Sequence, residues 1–292
     1  MILFSGSKIL RSNGYVNAFD ISVEKTENIL CYLIKFNDGS QIILPKGAKI
    51  HLENSIIEID TLKIKFEENK TIKFKPKFFK PKFVLSNLDP YLIGIAICTP
   101  IRNRFLQTRK EFLLDIEKFP KDYYSFSFEK KSNKFYKLSA KEGYPNLLRL
   151  EIKKQGNFKN LENRQIPDKY LFSKYWQRVF LLRGCMDVFG HVNKGEVTFE
   201  TCSQQLSIDI CFLVRSLGGF AKIRKKKSKK IFYITSISFH GKFNPFEIKK
   251  NQFRPSLRPR TKIISSIEEI GVQPCVKVKQ DFVTLDSFIG IS

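Results

Sequence analysis

Six cysteines and three histidines are the side chains of this 292-residue chain best suited to metal or nucleophilic chemistry, and their spacing supports neither. Cys31, Cys98, Cys185, Cys202, Cys211 and Cys275 form no CxxC pair, and His51, His191 and His240 are scattered. A zinc site needs such ligands in close pairs that can converge on one ion. Buried, reduced thiols in a reducing compartment are the expectation. The opening MILFSGSKILRSNG turns polar too early for a secretory signal, so the chain is not expected to be secreted.

The abundant chemistry is cationic. Lys and Arg number 52 against 28 Asp and Glu, a formal net charge of +24. Self-repulsion at that charge opposes compaction unless a polyanion screens it. Nucleic acid is the first candidate partner and an anionic membrane surface the second. An AT-rich genome, whose codons favour Lys, Ile, Phe and Asn, is the competing explanation of the composition. The cations fall in runs. Arg102, Arg104, Arg109 and Lys110 form one, and Lys222, Arg224, Lys225, Lys226, Lys227, Lys229 and Lys230 form the densest. Lys73, Lys75, Lys77, Lys80 and Lys82 alternate with Phe and Pro, and Arg254, Arg258 and Arg260 make a further run. Each run reads either as phosphate contacts or as a solvated turn. No stretch of about 18 apolar residues occurs, so no transmembrane helix is expected; nucleic acid is preferred over the membrane surface, and no membrane partner is expected.

The elements that must position these cations change character along the chain. Hydrophobic residues make up 42% of it, including 28 Phe, enough to build a core. Residues 1–86 read as strands. Cys31–Phe36 and Gln41–Leu44 flank Asn37-Asp38-Gly39, a hairpin signal. Ile56–Phe66 alternates like a strand, and the prolines of Lys73–Phe83 make that segment an extended connector. Ser86–Pro90 is a helix start, followed by the apolar Tyr91–Cys98. A second such helix is expected over Tyr175–Val188, with Gly94 and Gly184 in matching places. The recurrence points to two α/β halves, each led by one apolar helix. Ser203–Leu217 has helical spacing and stops at Gly218-Gly219. Lys222–Lys230 then reads as a basic turn between strands, and the tail from Lys262 as several short strands.

These segments resemble, in order and spacing, the LAGLIDADG-type homing endonucleases carried within phage-type inteins. Gln165–Val192 (QIPDKYLFSKYWQRVFLLRGCMDVFGHV) is similar to the second motif region, and Thr201–Ile223 to the helix that follows it. Pro90–Pro100 (PYLIGIAICTP) is similar to the first motif, and Asn13–Ile50 and Asn244–Ile289 to the two parts of the splicing domain. The resemblance implies an α+β fold. Duplicated αββαββ LAGLIDADG-like halves at 87–250 would be inserted in an all-β Hint-like domain built from 1–86 and 251–292. It also implies that Gly94 and Gly184 let two helices pack closely, and that an acid at each helix end holds divalent metal over a scissile phosphate.

Here the resemblance breaks. Thr99 and Phe189 occupy the two metal-acid positions. Asp187 survives where the family caps or packs; it reads as a surface or capping carboxylate, with rescue of the metal site as the alternative. The splicing positions are replaced as well: Met1 for Cys or Ser, Pro45 for Thr, Ala48 for His, and Ser292 where His stands, with no Asn to cyclise. No catalytic residue and no metal or other cofactor is therefore expected.

What remains is a non-catalytic nucleic-acid-binding or assembly protein, a pseudoenzyme on an intein–endonuclease scaffold. Its expected partners are DNA or structured RNA, within a larger nucleoprotein assembly or alone. The pseudo-symmetric halves favour a monomer, in a phage-infected cell or an organelle matrix. Two alternatives stand. One is an active endonuclease using Mg²⁺ and displaced acids such as Asp187, Glu200 or Asp209. The other is a protein-binding structural subunit of a phage or organellar complex.

Overall fold

The computed structural model describes residues 2–4, 8–11, 14–17, 26–52, 55–68, 71–74, 89–99, 101–102, 105–107, 126–132, 135–140, 161–193, 196–227, 231–239, 243–248, 262–277, 282–283 and 290–291. In chain order, strands β1 (Ile2–Phe4), β2 (Lys8–Arg11), β3 (Gly14–Asn17), β4 (Thr26–Phe36), β5 (Gln41–Pro45), β6 (Lys49–His51) and β7 (Ile56–Glu58) precede helix α1 (Ile59–Glu67) and strand β8 (Lys73–Phe74). Helix α2 (Pro90–Cys98) is followed by β9 (Ile101–Arg102), β10 (Phe105–Gln107), β11 (Phe126–Ser132) and β12 (Phe135–Ala140). Helices α3 (Asp168–Leu171) and α4 (Tyr175–Phe189) lead to β13 (Gly190–Asn193) and β14 (Glu196–Thr201). Helix α5 (Gln204–Ser216) leads to β15 (Phe220–Lys227) and β16 (Ile231–Ser238), and β17 (Lys262–Lys277), β18 (Phe282–Val283) and β19 (Gly290–Ile291) follow. The fold is mixed α+β, and among the described residues no helix is long and apolar enough to cross a membrane. Two compact units share the chain. Unit 1 comprises Met1–Lys82, Val214–Lys222 and Arg258–Ser292; unit 2 comprises Phe83–Leu213 and Ile223–Leu257.

Unit 1 is built on the hairpin of β4 and β5. Its three-residue loop, Asn37-Asp38-Gly39, needs a left-handed residue, and Gly39 supplies it with φ 81°. The sheet runs β1-β17-β4-β5, with β8 also pairing β17. The first two short strands expected in the tail are thus one 16-residue strand, Lys262–Lys277, with the short β18 and β19 after it. It stays continuous because irregularities in its pairing with β4, one at Gly271 with φ 77°, absorb the breaks in pattern. A second sheet has the order β18-β19-β6-β7. Ile34, Leu44, Ile50, Ile59 and Leu62 form the fully buried core, and Phe36 meets Phe74 edge-on at 5.2 Å. Each such aliphatic side chain contributes about 2 kcal/mol on burial. Ile56–Phe66 departs from its strand-like alternation and turns helical at Ile59. Ile59 and Leu62, three apart, enter the core, while Ile64 is left exposed.

Unit 2 contains two four-stranded sheets of the same antiparallel order. Numbering the strands of each sheet along the chain, β9-β10-β12-β11 and β13-β14-β16-β15 both read 1-2-4-3. An apolar helix precedes each sheet. Asp89 caps α2 by accepting the Tyr91 and Leu92 N–H groups, and Pro90 fills the first turn, where no N–H is needed. All nine residues of α2 are buried, so it shows no polar face. Helix α5 starts at Ser203, whose Oγ accepts the Leu206 N–H, and ends at Gly218 with φ 79°. Leu206, Ile210 and Leu213 are buried along it, and Ser207 Oγ meets Thr235 Oγ1 of β16 at 2.8 Å. Helix α5 therefore covers one face of the β13–β16 sheet.

Candidate nucleic-acid interface

In unit 2, α2 and α4 approach closely at two glycines. A Cβ on Gly94 would collide with the Leu181 carbonyl oxygen, and one on Gly184 with the Tyr91 carbonyl oxygen. Both obstacles are helix backbone, which cannot rotate aside as a side chain can. The two glycines thus face the partner helix at the crossing. Cys185 Sγ lies 3.6 Å from the Gly94 carbonyl oxygen, in donor range for sulfur, and burial pushes its thiol well up, with Cys98 beside it adding to the shift.

The described residues at the ends of these helices are otherwise engaged. Thr99 caps α2 and is buried, and its hydroxyl donates back to the Ile95 carbonyl. Phe189, the last residue of α4, packs edge-on against Phe199 with ring centroids 5.9 Å apart. A hydroxyl already committed to the backbone and a benzene ring do not fit a hard divalent cation that demands oxygen ligands. No group of three or more His, Cys, Asp or Glu is placed to hold a metal ion among the described residues.

The surviving acids are placed differently from one another. Asp187 is not at the surface; it is fully buried. Its Oδ2 accepts the Tyr91 hydroxyl at 2.9 Å and the backbone N–H groups of Glu247 at 3.2 Å and Ile248 at 3.0 Å. It therefore ties α2 and the 243–248 segment to α4. Asp209 is buried in α5, accepting the Ile166 N–H at 2.6 Å and Gln205 Nε2 at 2.8 Å. Burial pushes its carboxyl up to about 6, although both hydrogen bonds pull the other way. Glu200 stands apart from both, on the sheet.

That sheet has two unlike faces. Along β14, Val197, Phe199 and Thr201 are buried, while Glu196, Thr198 and Glu200 alternate with them and are half-buried. Directly opposed residues share a face. His191 of β13 and Ser236 of β16 oppose Thr198, and Asn193 opposes Glu196. The face away from α5 is therefore polar along β13 and β14, while β16 adds Ile234, opposite Glu200, beside Ser236. Ser236 Oγ donates to Glu196 Oε1 at 3.0 Å, and Arg224 of edge strand β15 reaches the same oxygen at 3.9 Å. Arg224, Lys225, Lys226 and Lys227 are all exposed. They are strand residues, where a basic turn was expected over Lys222–Lys230. The hairpin extends further because Lys is well tolerated on an edge strand. Lys222 is exposed on the same strand but belongs to the Val214–Lys222 segment of unit 1. Glu196, Thr198, His191 and Ser236 were not singled out from the sequence, although the alternation EVTFET carries the signal.

No protein-family model and no curated protein matches the chain.

The remaining expected positions divide between unit 1 and undescribed chain. Pro45 ends β5 and is buried, and Ala48 N–H closes a turn onto the Pro45 carbonyl at 3.1 Å, with Gly47 at φ 79°. Neither offers a nucleophile or a proton. The nearest charged cluster in unit 1 is structural. Asp38 is buried between Arg215 Nε and Lys262 Nζ, each 3.2 Å from its Oδ2, while Ser40 donates N–H and Oγ to its Oδ1. Burial alone would raise its carboxyl, but Lys262, Arg215 and Ser40 overcome this and hold it below its ordinary value. Arg102 lies in β9 and Lys73 in β8, both described as backbone only. Met1, Lys75, Lys77, Lys80, Lys82, Arg104, Arg109, Lys110, Lys229, Lys230, Arg254, Arg258, Arg260 and Ser292 lie outside the described residues.

Proposed function

We propose that this chain is a non-catalytic nucleic-acid-binding protein on an intein–homing endonuclease scaffold. The observation that carries this reading is the β13–β16 sheet, covered by α5 on one face, bearing Glu196, Thr198 and His191 on the other, with Arg224, Lys225, Lys226 and Lys227 exposed along its edge strand. Cations there neutralise phosphate, and the polar face meets base edges. The scaffold part is supported by the glycine-to-glycine helix crossing and by the shared 1-2-4-3 strand order. Non-catalysis is supported by the committed Thr99 hydroxyl, the Phe189 ring, and the structural hydrogen bonds that occupy Asp187 and Asp209.

Fluorescence anisotropy with a labelled duplex across a salt series tests it. Binding should weaken linearly on a log–log plot, with a slope near −0.9 per phosphate neutralised. Replacing Lys225, Lys226 and Lys227 with Ala should flatten that slope by roughly 2 to 3. No binding at low salt would sink the reading in favour of a protein-binding subunit. Magnesium-dependent cutting of the duplex would sink the non-catalytic part.

A further inference from the structure

We propose that Cys31 and Cys275 form a redox clasp, closing into a disulfide that staples β4 to β17 when the chain meets a low-molecular-weight disulfide such as oxidised glutathione. The inference lies in unit 1 and is independent of the nucleic-acid reading above.

All six cysteines are free, and these two already touch. Their Sγ atoms lie 3.5 Å apart, although 244 residues separate them in sequence. Both side chains are fully buried. A disulfide holds its sulfurs about 2.05 Å apart, so closure asks for a movement of about 1.5 Å.

The strand pairing explains how they meet. Cys31 opposes Gly271 and Cys275 opposes Glu27, so the two are offset along the ribbon. In a flat ribbon that offset would span about 13 Å, too far for two cysteine side chains. The ribbon therefore bends at the Ile29–Gln273 pair that lies between them. Both sulfurs lean toward that pair. Cys31 Sγ lies 3.4 Å from the Ile29 carbonyl oxygen, and Cys275 Sγ lies 3.4 Å from the Gln273 carbonyl oxygen. Adjacent strand residues point to opposite faces, so Cys31 lies on the face away from Tyr32. Neither cysteine belongs to the core cluster that Tyr32, Ile34 and Leu44 build. Drawing the sulfurs together thus leaves the packing of that core in place.

The pair is chemically asymmetric. Burial pushes the Cys31 thiol up to about 12, and the neighbouring Cys275 adds to the rise. Burial raises Cys275 as well, but hydrogen bonds to its sulfur from Cys31 and the Ile29 N–H pull it back. Cys275 is therefore the sulfur that attacks. Its thiolate, having lost its proton to water, bonds to one sulfur of the reagent and expels the other as a thiolate. A mixed disulfide is left on Cys275. The Cys31 thiolate, deprotonated in its turn, attacks the Cys275 sulfur and expels the second reagent thiolate. The two expelled thiolates take up the two protons, so one disulfide is reduced as the other forms. Access comes through β1, a three-residue strand whose Phe4 opposes Cys275. A strand this short opens more readily than the β4–β17 ribbon it flanks. The bond closes a long loop, the case in which a cross-link constrains the unfolded chain most.

In the test, the full chain is held with oxidised glutathione at about pH 8, where thiolate begins to form. Free thiols are then blocked by alkylation, and the peptides are analysed by mass spectrometry without reduction. A peptide pair joined through Cys31 and Cys275 should appear, and should vanish with dithiothreitol. The oxidised wild type should melt roughly 5–10 °C above the reduced protein. Cys31→Ser should lose this rise and retain glutathione on Cys275. Cys275→Ser should lose it and leave Cys31 largely unmodified. The wild-type melts alone decide the case should a variant fold poorly. The proposal is overturned if no peptide pair joins these two cysteines, if they link only to other cysteines, or if the linked chain melts no higher than the reduced one.

Discussion

A buried carboxylate must be compensated by hydrogen bonds, by cations, or by keeping its proton, and three aspartates of this chain use three different solutions. Asp187 relies on hydrogen bonds from Tyr91, Glu247 and Ile248. Asp187→Ala leaves three donors without an acceptor and should cost roughly 3 kcal/mol in urea unfolding. Asp187→Asn, whose carbonyl oxygen can still accept, should cost clearly less. Equal losses in the two variants would show that the acceptor is not what matters. Asp209 keeps its proton up to about pH 6. In the unfolded chain its value is about 3.9, so between pH 4 and 6 the folded state binds the extra proton. Stability should therefore fall as pH rises through that window, by about 3 kcal/mol, and level off above it. Asp209→Asn should flatten this limb in thermal melts run from pH 4 to 7. Asp38, held by Lys262 and Arg215 against its burial, acts in the opposite sense. Its contribution is present above the unfolded value and is lost as pH falls below about 4.

Among the elements, the α2–α4 crossing and edge strand β15 bear most directly on the proposed function. In an open helix, Gly→Ala gains about 1 kcal/mol of helix propensity. At Gly94 and Gly184 the added methyl meets backbone of the partner helix, so each substitution should instead cost about 2 kcal/mol, measured as a drop in the unfolding midpoint. A stabilised Gly94→Ala would remove the close crossing from the account. Helix α2 was legible because its signals are local: Asp89-Pro90 starts it, and an unbroken apolar run fills it. The hairpin at Asn37-Asp38-Gly39 was legible for the same reason. Ile56–Phe66 was not, because Leu62, Ile64 and Phe66 fit a strand period while Ile59, Leu62 and Phe66 fit a helix period over the same short window. Contact with the unit 1 core decides in favour of the helix. The position of Asp187 was illegible for another reason: its partners lie 60 and more residues away, where spacing within a motif says nothing.

At the scale of the whole molecule, charge and pattern were legible separately but not together. The count of +24 pointed to a polyanion without saying where it sits. The polar face required knowing that β13, β14 and β16 lie side by side, which depends on pairing between residues up to 40 apart. Unit 1 carries a further consequence. Its longest pairing joins β4, near residue 30, to β17, near residue 270, with unit 2 inserted in the sequence between them. During synthesis at roughly 5–20 residues per second, β4 emerges well over ten seconds before its partner exists. Until then the apolar edge facing β17 is an open invitation to other chains, and closing so long a loop makes the final step slow. A ribosome bearing this nascent protein is thus exposed to aggregation for most of translation, and demand for a holding chaperone should peak before the last forty residues appear.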